Sequence, residues 1–394
     1  MTRRAVFYIG GYDPKSPEAF FERLDREADR FAGVWDVELH TGEMTRLDPH
    51  TTVESFTASG TLSGREWRCE TDFHFVCLDD IVLRDFERPF LKRLARYLVT
   101  FADYTASGTG YAFLRHAWRF FIYFMYPFVA LLLAVIVSAA MAHLIYSTGV
   151  ALAWLAAPFV FLMTFSALAQ MQMKRRYVFH LMDLWSFSRD FVHRSRSDID
   201  VKLDAVSVRL SDAIESDDYD ECLLVGHSTG GALILNLMGR SLARGTRPSD
   251  HATVVSVLTV GSTALKVGLH PAAGWFRDQV AAIVAEPGID WVEYQCRSDL
   301  INFYRTQPAQ LMGVEDAHKP TVNFIRLRDM LDPATYRRVR GNFFAMHYRF
   351  VFGNSNRYHY DFPAICFGPA PLAARGEDAH AFQHTLLPAK VQTP

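Results

Sequence analysis

The sequence predicts an α/β fold with a mostly parallel sheet flanked by helices, interrupted before one strand by a hairpin of two apolar helices. Three observations lead to this prediction. Short apolar runs alternate with longer amphipathic stretches, which is typical of a sheet covered by helices on both faces. A G-x-S-x-G turn joins the apolar run 222–225 to a helix of small residues. Residues 120–173 contain no Asp, Glu, Lys or Arg.

The strands and helices follow from the period of the apolar residues. The predicted strands cover residues 5–9, 35–39, 73–78, 222–225, 253–260, 291–296 and 321–327. The predicted helices cover residues 18–31, 177–194, 201–214, 232–243 and 275–285. Continuous apolar runs such as 254–260 favour buried parallel strands over strands with one face in solvent.

The uncharged stretch is long enough for two membrane-spanning helices, because one span needs about 20 apolar residues. We expect spans over 120–145 and 150–171, separated by a polar turn at 146–149. Pro127 and Pro158 fall within these spans, and membrane helices tolerate proline better than soluble ones do. The lipid bilayer is therefore a predicted partner.

The charges that flank the hairpin predict its orientation. Arg115 and Arg119 precede it, residues 174–176 are Lys-Arg-Arg, and the connecting loop has no positive charge. By the positive-inside rule, both soluble parts of the chain lie on the cytoplasmic side of a two-span membrane protein. Just before the hairpin, residues 87–101 form a basic amphipathic helix. This helix either lies in the membrane interface or packs on the sheet as a surface helix.

These elements divide the chain into four parts. Residues 1–117 form the N-terminal part of the α/β domain with the basic amphipathic helix, and 118–173 form the hairpin. Residues 174–370 complete the domain and carry the candidate catalytic residues, and 371–394 form an extended tail. The insertion is feasible because an up-and-down hairpin leaves and returns on the same side.

Composition narrows the range of functions. The formal net charge of −2 provides no basic field, which argues against nucleic acid as a partner. The five cysteines are scattered without a C-x-x-C pair, so we expect neither a disulfide framework nor a zinc site. No metal ion and no organic cofactor is predicted.

The turn 226–230, with the sequence GHSTG, has the form of a nucleophile elbow. In such a turn the serine is held in a strained conformation between strand and helix, with its hydroxyl above the sheet. The flanking glycines allow the strand and the helix to approach closely. Ser228 is therefore the candidate nucleophile.

A serine hydroxyl needs a histidine base, and the histidine needs a carboxylate to orient it. Asp299 follows the predicted strand 291–296 by three residues and is the candidate acid, with Glu315 and Asp316 as substitutes. His347 follows the last predicted strand and is the candidate base, with His359 as the alternative.

Backbone N–H groups near the serine would stabilise an oxyanion. Thr229, directly after the nucleophile, is one candidate donor. The second is expected from the loop after the first strand, where Gly11 and Tyr12 follow Ile9-Gly10. Glycines there allow backbone amides to face a substrate.

The elbow, the later acid and histidine and the early glycine loop together resemble the α/β-hydrolase superfamily, and GHSTGG resembles the elbow of lipases and esterases. The resemblance covers roughly residues 5–80 and 175–367 and implies ester or thioester hydrolysis without a cofactor. Two features depart from it, namely the inserted hairpin and a glycine loop without the His-Gly pair.

The leading hypothesis is a membrane-anchored serine hydrolase that acts on a small-molecule or lipid-like acyl ester. An acyltransferase with the same triad is the first alternative. A non-catalytic membrane scaffold that keeps the fold is the second.

Overall fold

The structure, a computed structural model, describes residues 1–62, 65–175, 177–315 and 317–377. Asp316, Arg176 and most of the predicted tail, with His380 and His384, lie outside the described residues. The chain divides into two compact units, one of Met1–Arg84 with Val192–Pro394 and one of Asp85–Phe191.

The first unit is built on a sheet with the order β2-β4-β5-β1-β6-β7-β8-β9, and β3 pairs with β4 at its edge. The strands are β1 Thr2–Ile9, β2 Glu38–Thr41, β3 Thr45–Arg46, β4 Thr51–Leu62, β5 Arg65–Val76, β6 Glu221–His227, β7 Val254–Val260, β8 Ile289–Cys296 and β9 Thr321–Ile325. The first strand in the chain thus lies in the middle of the sheet, between β5 and β6.

The sheet is mixed, so the prediction of a mostly parallel sheet is wrong. Strands β5, β1 and β6 to β9 run parallel, whereas β2, β3 and β4 pair antiparallel. Strand β4 was not predicted because it alternates polar and apolar residues without a continuous apolar run. Phe56 and Ala58 point into the core while Ser55 faces solvent. The predicted strand at 35–39 begins later, because helix α1 continues to Trp35.

The described helices of four residues or more are numbered α1 to α17. They are α1 Pro17–Trp35, α2 Asp79–Phe86, α3 Phe90–Ala106, α4 Thr109–His116, α5 Trp118–Tyr146, α6 Ala153–Arg175, α7 Val178–Val192, α8 Ser197–Glu215, α9 Gly230–Arg244, α10 Leu265–Gly268, α11 Gly274–Ala285, α12 Pro308–Leu311, α13 Leu327–Met330, α14 Pro333–Val339, α15 Phe343–His347, α16 Phe362–Phe367 and α17 Leu372–Glu377. All five predicted helices are present.

Helices cover both faces of the sheet in the first unit. Helices α1 and α16 share one core with the inward residues of β1, β5 and β6. This core contains Phe20 of α1, Tyr8 of β1 and Phe362 of α16. On the other face α9 packs against β6, and α8 and α11 pack against α9. An α/β architecture with helices on both faces of a central sheet is therefore established.

The second unit contains the predicted hairpin. Helices α5 and α6 are long and apolar enough to cross a membrane, with mean hydropathy of 2.6 and 1.5. Only 11% and 0% of their most apolar segments is buried, which distinguishes them from the core helices of a soluble protein. Helix α5 ends at Tyr146 and Gly149 has a left-handed φ of 70°, so the chain turns where the sequence predicted.

The basic amphipathic helix before the hairpin is α3, and it packs on other helices of its own unit. Tyr97 is buried against Phe179 of α7, and Phe101 lies 4.8 Å from Phe128 of α5, measured between ring centroids. Leu98 of the same helix is 62% exposed.

The described start of the predicted tail is helical, which differs from the extended chain we expected. Helix α17 buries Arg375 completely, and the Arg375 guanidinium donates hydrogen bonds to the carbonyls of His359 and Ala364. Near it, the buried Arg4 of β1 donates to the carbonyls of Cys366 and Gly368 and pairs with Glu221. Buried cations therefore fix the end of the fold to the centre of the sheet.

Candidate active site

Ser228 occupies a strained turn between β6 and α9. Its φ is 57°, in the left-handed region that a non-glycine residue adopts only at a cost of about 1–3 kcal/mol. Two hydrogen bonds hold the turn, since the Ser228 N–H donates to the carbonyl of Val260 at 3.2 Å and the Ser228 carbonyl accepts from the N–H of Thr263 at 3.0 Å. The residue is half-buried.

Glycines bring the loop after β1 against this turn. A Cβ on Gly230 would lie 1.9 Å from the carbonyl oxygen of Ile9, so only glycine fits where α9 begins. A Cβ on Gly11 would lie 3.4 Å from the Cβ of Ser228, which is ordinary contact distance. The glycine loop and the serine are therefore direct neighbours.

Asp299 and His347 form a buried pair. The His347 Nδ1 lies 2.8 Å from Asp299 Oδ2, and the two side chains are 3% and 0% exposed. The other oxygen of Asp299 accepts from the N–H of Ile301 at 2.9 Å. Asn302 fixes the loop after β8, because its Nδ2 donates to the carbonyls of Cys296 and Asp299.

The ring of His347 lies at the end of β7, where the elbow is also held. Within the described residues, the buried Nε2 of His347 has no hydrogen-bond partner, so it makes no hydrogen bond to the Ser228 hydroxyl. A Cβ on Gly261 would lie 3.0 Å from the His347 Cε1, and the preceding residue, Val260, binds the amide of Ser228. The serine and the imidazole thus contact consecutive residues at the end of β7. Catalytic hydrogen bonds often tighten only when substrate binds.

His227 supports this arrangement from the strand side. Its ring lies 4.7 Å from that of His347 between centroids, and its Nε2 is 3.3 Å from the His347 carbonyl oxygen. Burial, and then the charge on neighbouring His347, hold the pKa of His227 well below its usual value. His227 is therefore a neutral neighbour that packs against His347.

The alternative residues lie elsewhere. Glu315 is exposed, and Asp316 falls outside the described residues. His359 is buried against Tyr358, with ring centroids 4.1 Å apart, and its carbonyl accepts from Arg375. The structure brings His347, and not His359, to Asp299.

Two of the three candidate oxyanion donors have available N–H groups. Among the described residues, no acceptor is recorded for the N–H of Thr229 or of Gly11. Both residues adjoin Ser228, Thr229 by sequence and Gly11 by contact. The third candidate, Tyr12, is 4% exposed.

The sequence analysis missed Lys266 of α10. Its side chain is 1% exposed, and its Nζ donates to the hydroxyl of Thr229 at 2.8 Å. Burial lowers the pKa of Lys266 to about 7. A lysine inside the apolar run 264–269 was the signal that could have identified it.

Arg23 of α1 was also missed. It is 8% exposed and lies on the apolar face of its helix, beside Phe20. The signal in this case was an arginine at a position where the helical period calls for an apolar residue.

No family model matches the chain, and neither a curated protein nor a solved structure shows significant similarity to it. The chemistry of the site therefore has to be argued from its own geometry. A strained serine, a buried Asp–His pair and two available N–H groups are together the components of nucleophilic acyl transfer.

Proposed function

We propose that the protein is a serine hydrolase that cleaves an ester or thioester through Ser228, His347 and Asp299. The observation that carries the proposal is the buried Asp299–His347 pair, whose remaining imidazole nitrogen has no hydrogen-bond partner among the described residues. The His347 ring contacts Gly261, and the preceding residue binds the amide of Ser228 in its left-handed turn. An unsatisfied Nε2 beside a nucleophile elbow is what a general base requires.

The reaction proceeds in two steps. The Ser228 Oγ attacks the acyl carbon while the His347 Nε2 takes the hydroxyl proton, and the imidazolium is stabilised by Asp299. The resulting oxyanion accepts hydrogen bonds from the N–H groups of Thr229 and Gly11. Collapse breaks the bond to the leaving alcohol or thiol, which receives the proton from His347. Water then attacks the acyl-enzyme with His347 again as base, releasing the acid and restoring Ser228.

The α/β-hydrolase resemblance is consistent with the order of these residues. Ser228, Asp299 and His347 follow β6, β8 and β9, which are parallel strands. Parallel strands end at the same edge of a sheet, where open α/β folds bind their ligands. The mixed sheet departs from the mostly parallel arrangement that the sequence predicted, so the proposal depends on the site and not on the fold.

We further propose that α5 and α6 anchor the enzyme in a membrane with the active site in the cytoplasm. The length and low burial of these helices favour an anchor, and the basic residues at the outer ends of the hairpin favour this orientation. A tethered hydrolase meets membrane-associated esters at high local concentration, which makes a lipid-like acyl ester a suitable substrate.

The proposal is tested with the full chain in detergent and a panel of p-nitrophenyl esters and acyl thioesters. We expect Ser228→Ala to lower kcat/KM by at least ~10³-fold, because the nucleophile is removed. Ser249→Ala, at an exposed serine distant in sequence, is the matched control and should keep full activity. Added alcohols distinguish hydrolysis from acyl transfer by the products formed. Turnover that survives in Ser228→Ala would refute the proposal.

A further inference from the structure

A small cavity adjoins the glycine loop on the side away from α9. Its walls include Gly10 and Gly11, the side chains of Arg23 and Lys15, and Tyr348, the residue after His347. The volume of the cavity is about 20 Å³. A single water needs about 10–15 Å³ by the same measure, so the cavity has room for one or two small polar atoms.

Arg23 places a buried positive charge on this wall without a counterion. Among the residues that the structure describes, no carboxylate forms an ion pair with it. Asp13 pairs with Lys15 at 3.3 Å, and Glu27, one turn further along α1, pairs with Arg30 at 3.2 Å. A buried charge is normally paired, because its desolvation is costly.

Aromatic rings compensate only part of that cost. The Arg23 guanidinium lies 5.0 Å from the ring centroid of Phe20 and 5.5 Å from that of Phe352. Such contacts contribute about 0.5–2 kcal/mol, less than the cost of burying a cation. Burial raises the pKa of Tyr8 to about 12, against the lowering effect of nearby Arg23, so the Tyr8 hydroxyl stays neutral.

Lys15 adds a second cation at the mouth of the cavity. Its Nζ lies 4.8 Å above the ring of Tyr348, and burial holds its pKa below the usual value, with Arg23 acting in the same direction. Asp13 is already engaged, since it also accepts a hydrogen bond from the Tyr348 hydroxyl. The group therefore carries a net charge of +1 from two cations and one carboxylate.

We propose that Arg23 and Lys15 form a subsite for a carboxylate on the substrate, so that the enzyme prefers acyl esters bearing a free acid. This inference rests on the proposed hydrolase function, since Gly11 lines the cavity and also lies against Ser228. An entering carboxylate supplies the missing counterion of Arg23 and reduces its repulsion with Lys15. The small volume fits a carboxylate better than a phosphate.

The test compares two substrates on the full-length enzyme in detergent, p-nitrophenyl hydrogen adipate and its neutral amide, p-nitrophenyl adipamate. The readout is the ratio of their kcat/KM values, from which any general loss of active enzyme cancels. We expect wild type to favour the acid by about 10–100-fold, the effect of a charge-assisted hydrogen bond. Arg23→Gln should lower the ratio at least tenfold, and Arg23→Lys by less.

Arg26→Gln is the matched control, because Arg26 is exposed on the same helix, and its ratio should equal that of wild type. If Arg23→Gln gives no soluble protein, Lys15→Gln and competition by free adipate against the neutral ester decide instead. Adipate should compete at lower concentration than inorganic phosphate.

Turnover of both esters with a ratio near one, or a ratio unchanged in Arg23→Gln and Lys15→Gln, would overturn the subsite. Stronger competition by phosphate than by adipate would also overturn it. Absence of any Ser228-dependent turnover would overturn the hydrolase proposal itself.

Discussion

The two sides of the sheet differ in what they contribute to the molecule. On one side of β1, strands β6 to β9 are parallel, and their carboxyl ends lead into Ser228, Gly261 and Asp299. On the other side, β4 and β5 form a long antiparallel hairpin whose inward residues fill the core. Parallel strands bring their candidate catalytic residues to one edge of the sheet, because all their carboxyl ends lie there. In an antiparallel hairpin the carboxyl ends of the two strands lie at opposite edges.

The strands on the two sides of β1 also differ in how deeply their residues are buried. All seven residues of β6 are buried, as expected of a strand covered on both faces. In the antiparallel part, only alternate residues of β4 are buried along much of its length, and the edge strands β2 and β3 are largely exposed. Substitutions on the two sides should therefore have different consequences.

The largest expected effect is on the parallel side. Asp299→Asn should lower kcat by about 10³–10⁴-fold, because an amide no longer stabilises the imidazolium or fixes the His347 tautomer. Initial rates with a p-nitrophenyl ester measure this effect. Asp290→Asn is the matched control, since Asp290 lies at the opposite end of the same strand. Equal losses in the two variants would contradict the role assigned to Asp299.

An intermediate effect is expected on the antiparallel side. Phe56 is 1% exposed, and its ring lies 4.5 Å from that of Phe367 between centroids. Phe56→Ala should lower the free energy of unfolding by about 3–5 kcal/mol through the cavity it leaves. Thermal unfolding measures the loss, while kcat per active site, titrated with a fluorophosphonate, should stay close to wild type. A variant with normal stability but low kcat would show that the antiparallel side takes part in catalysis.

The smallest expected effect is on the pH dependence of stability, and it involves one buried carboxyl group on each side of the sheet. Burial raises the pKa of Glu293 on β8 to about 7, against the hydrogen bonds from Gln295 and Thr259 that favour its ionised form. Burial, and then the charge of Asp25, raise the pKa of Glu54 on β4 to about 7.

Both groups ionise at lower pH in the unfolded chain, so their stabilising effect is present below about pH 4.5 and is lost as pH rises through 7. Each Gln variant should therefore show a smaller loss of stability between pH 5 and pH 8 than wild type. We expect a change on the order of 1–3 kcal/mol for Glu293→Gln and less for Glu54→Gln, which is nearer to solvent. Melting temperatures measured across that pH range test this, and a steeper decline in either variant would contradict it.

The sequence pattern predicted the strands that are buried on both faces of the sheet. Strands β6 and β7 contain apolar runs, β8 is rich in β-branched and aromatic residues, and the elbow after β6 combines a motif with its required context, so these elements were predicted. The hairpin α5–α6 was also predicted, because 54 consecutive residues contain no Asp, Glu, Lys or Arg.

The sequence pattern did not predict elements and residues whose main contacts are with residues distant in the chain. Strand β4 alternates polar and apolar residues, and its partner strand had been predicted only from residue 73 onward. Helix α17 depends on Arg375, whose hydrogen bonds reach back to His359 and Ala364. Arg23 is a charge on the apolar face of a helix with many charged residues, and Lys266 is a single charge in an apolar segment. Only the fold shows that one lines the cavity beside the glycine loop and the other binds Thr229.

The most direct test of the central claim is to treat the full-length protein with a fluorophosphonate and locate the adduct by peptide mass spectrometry. The account predicts one adduct, on Ser228, formed rapidly in wild type and much more slowly in Asp299→Asn. An unlabelled Ser228 in folded protein, or an adduct on another residue that persists in Ser228→Ala, would contradict it.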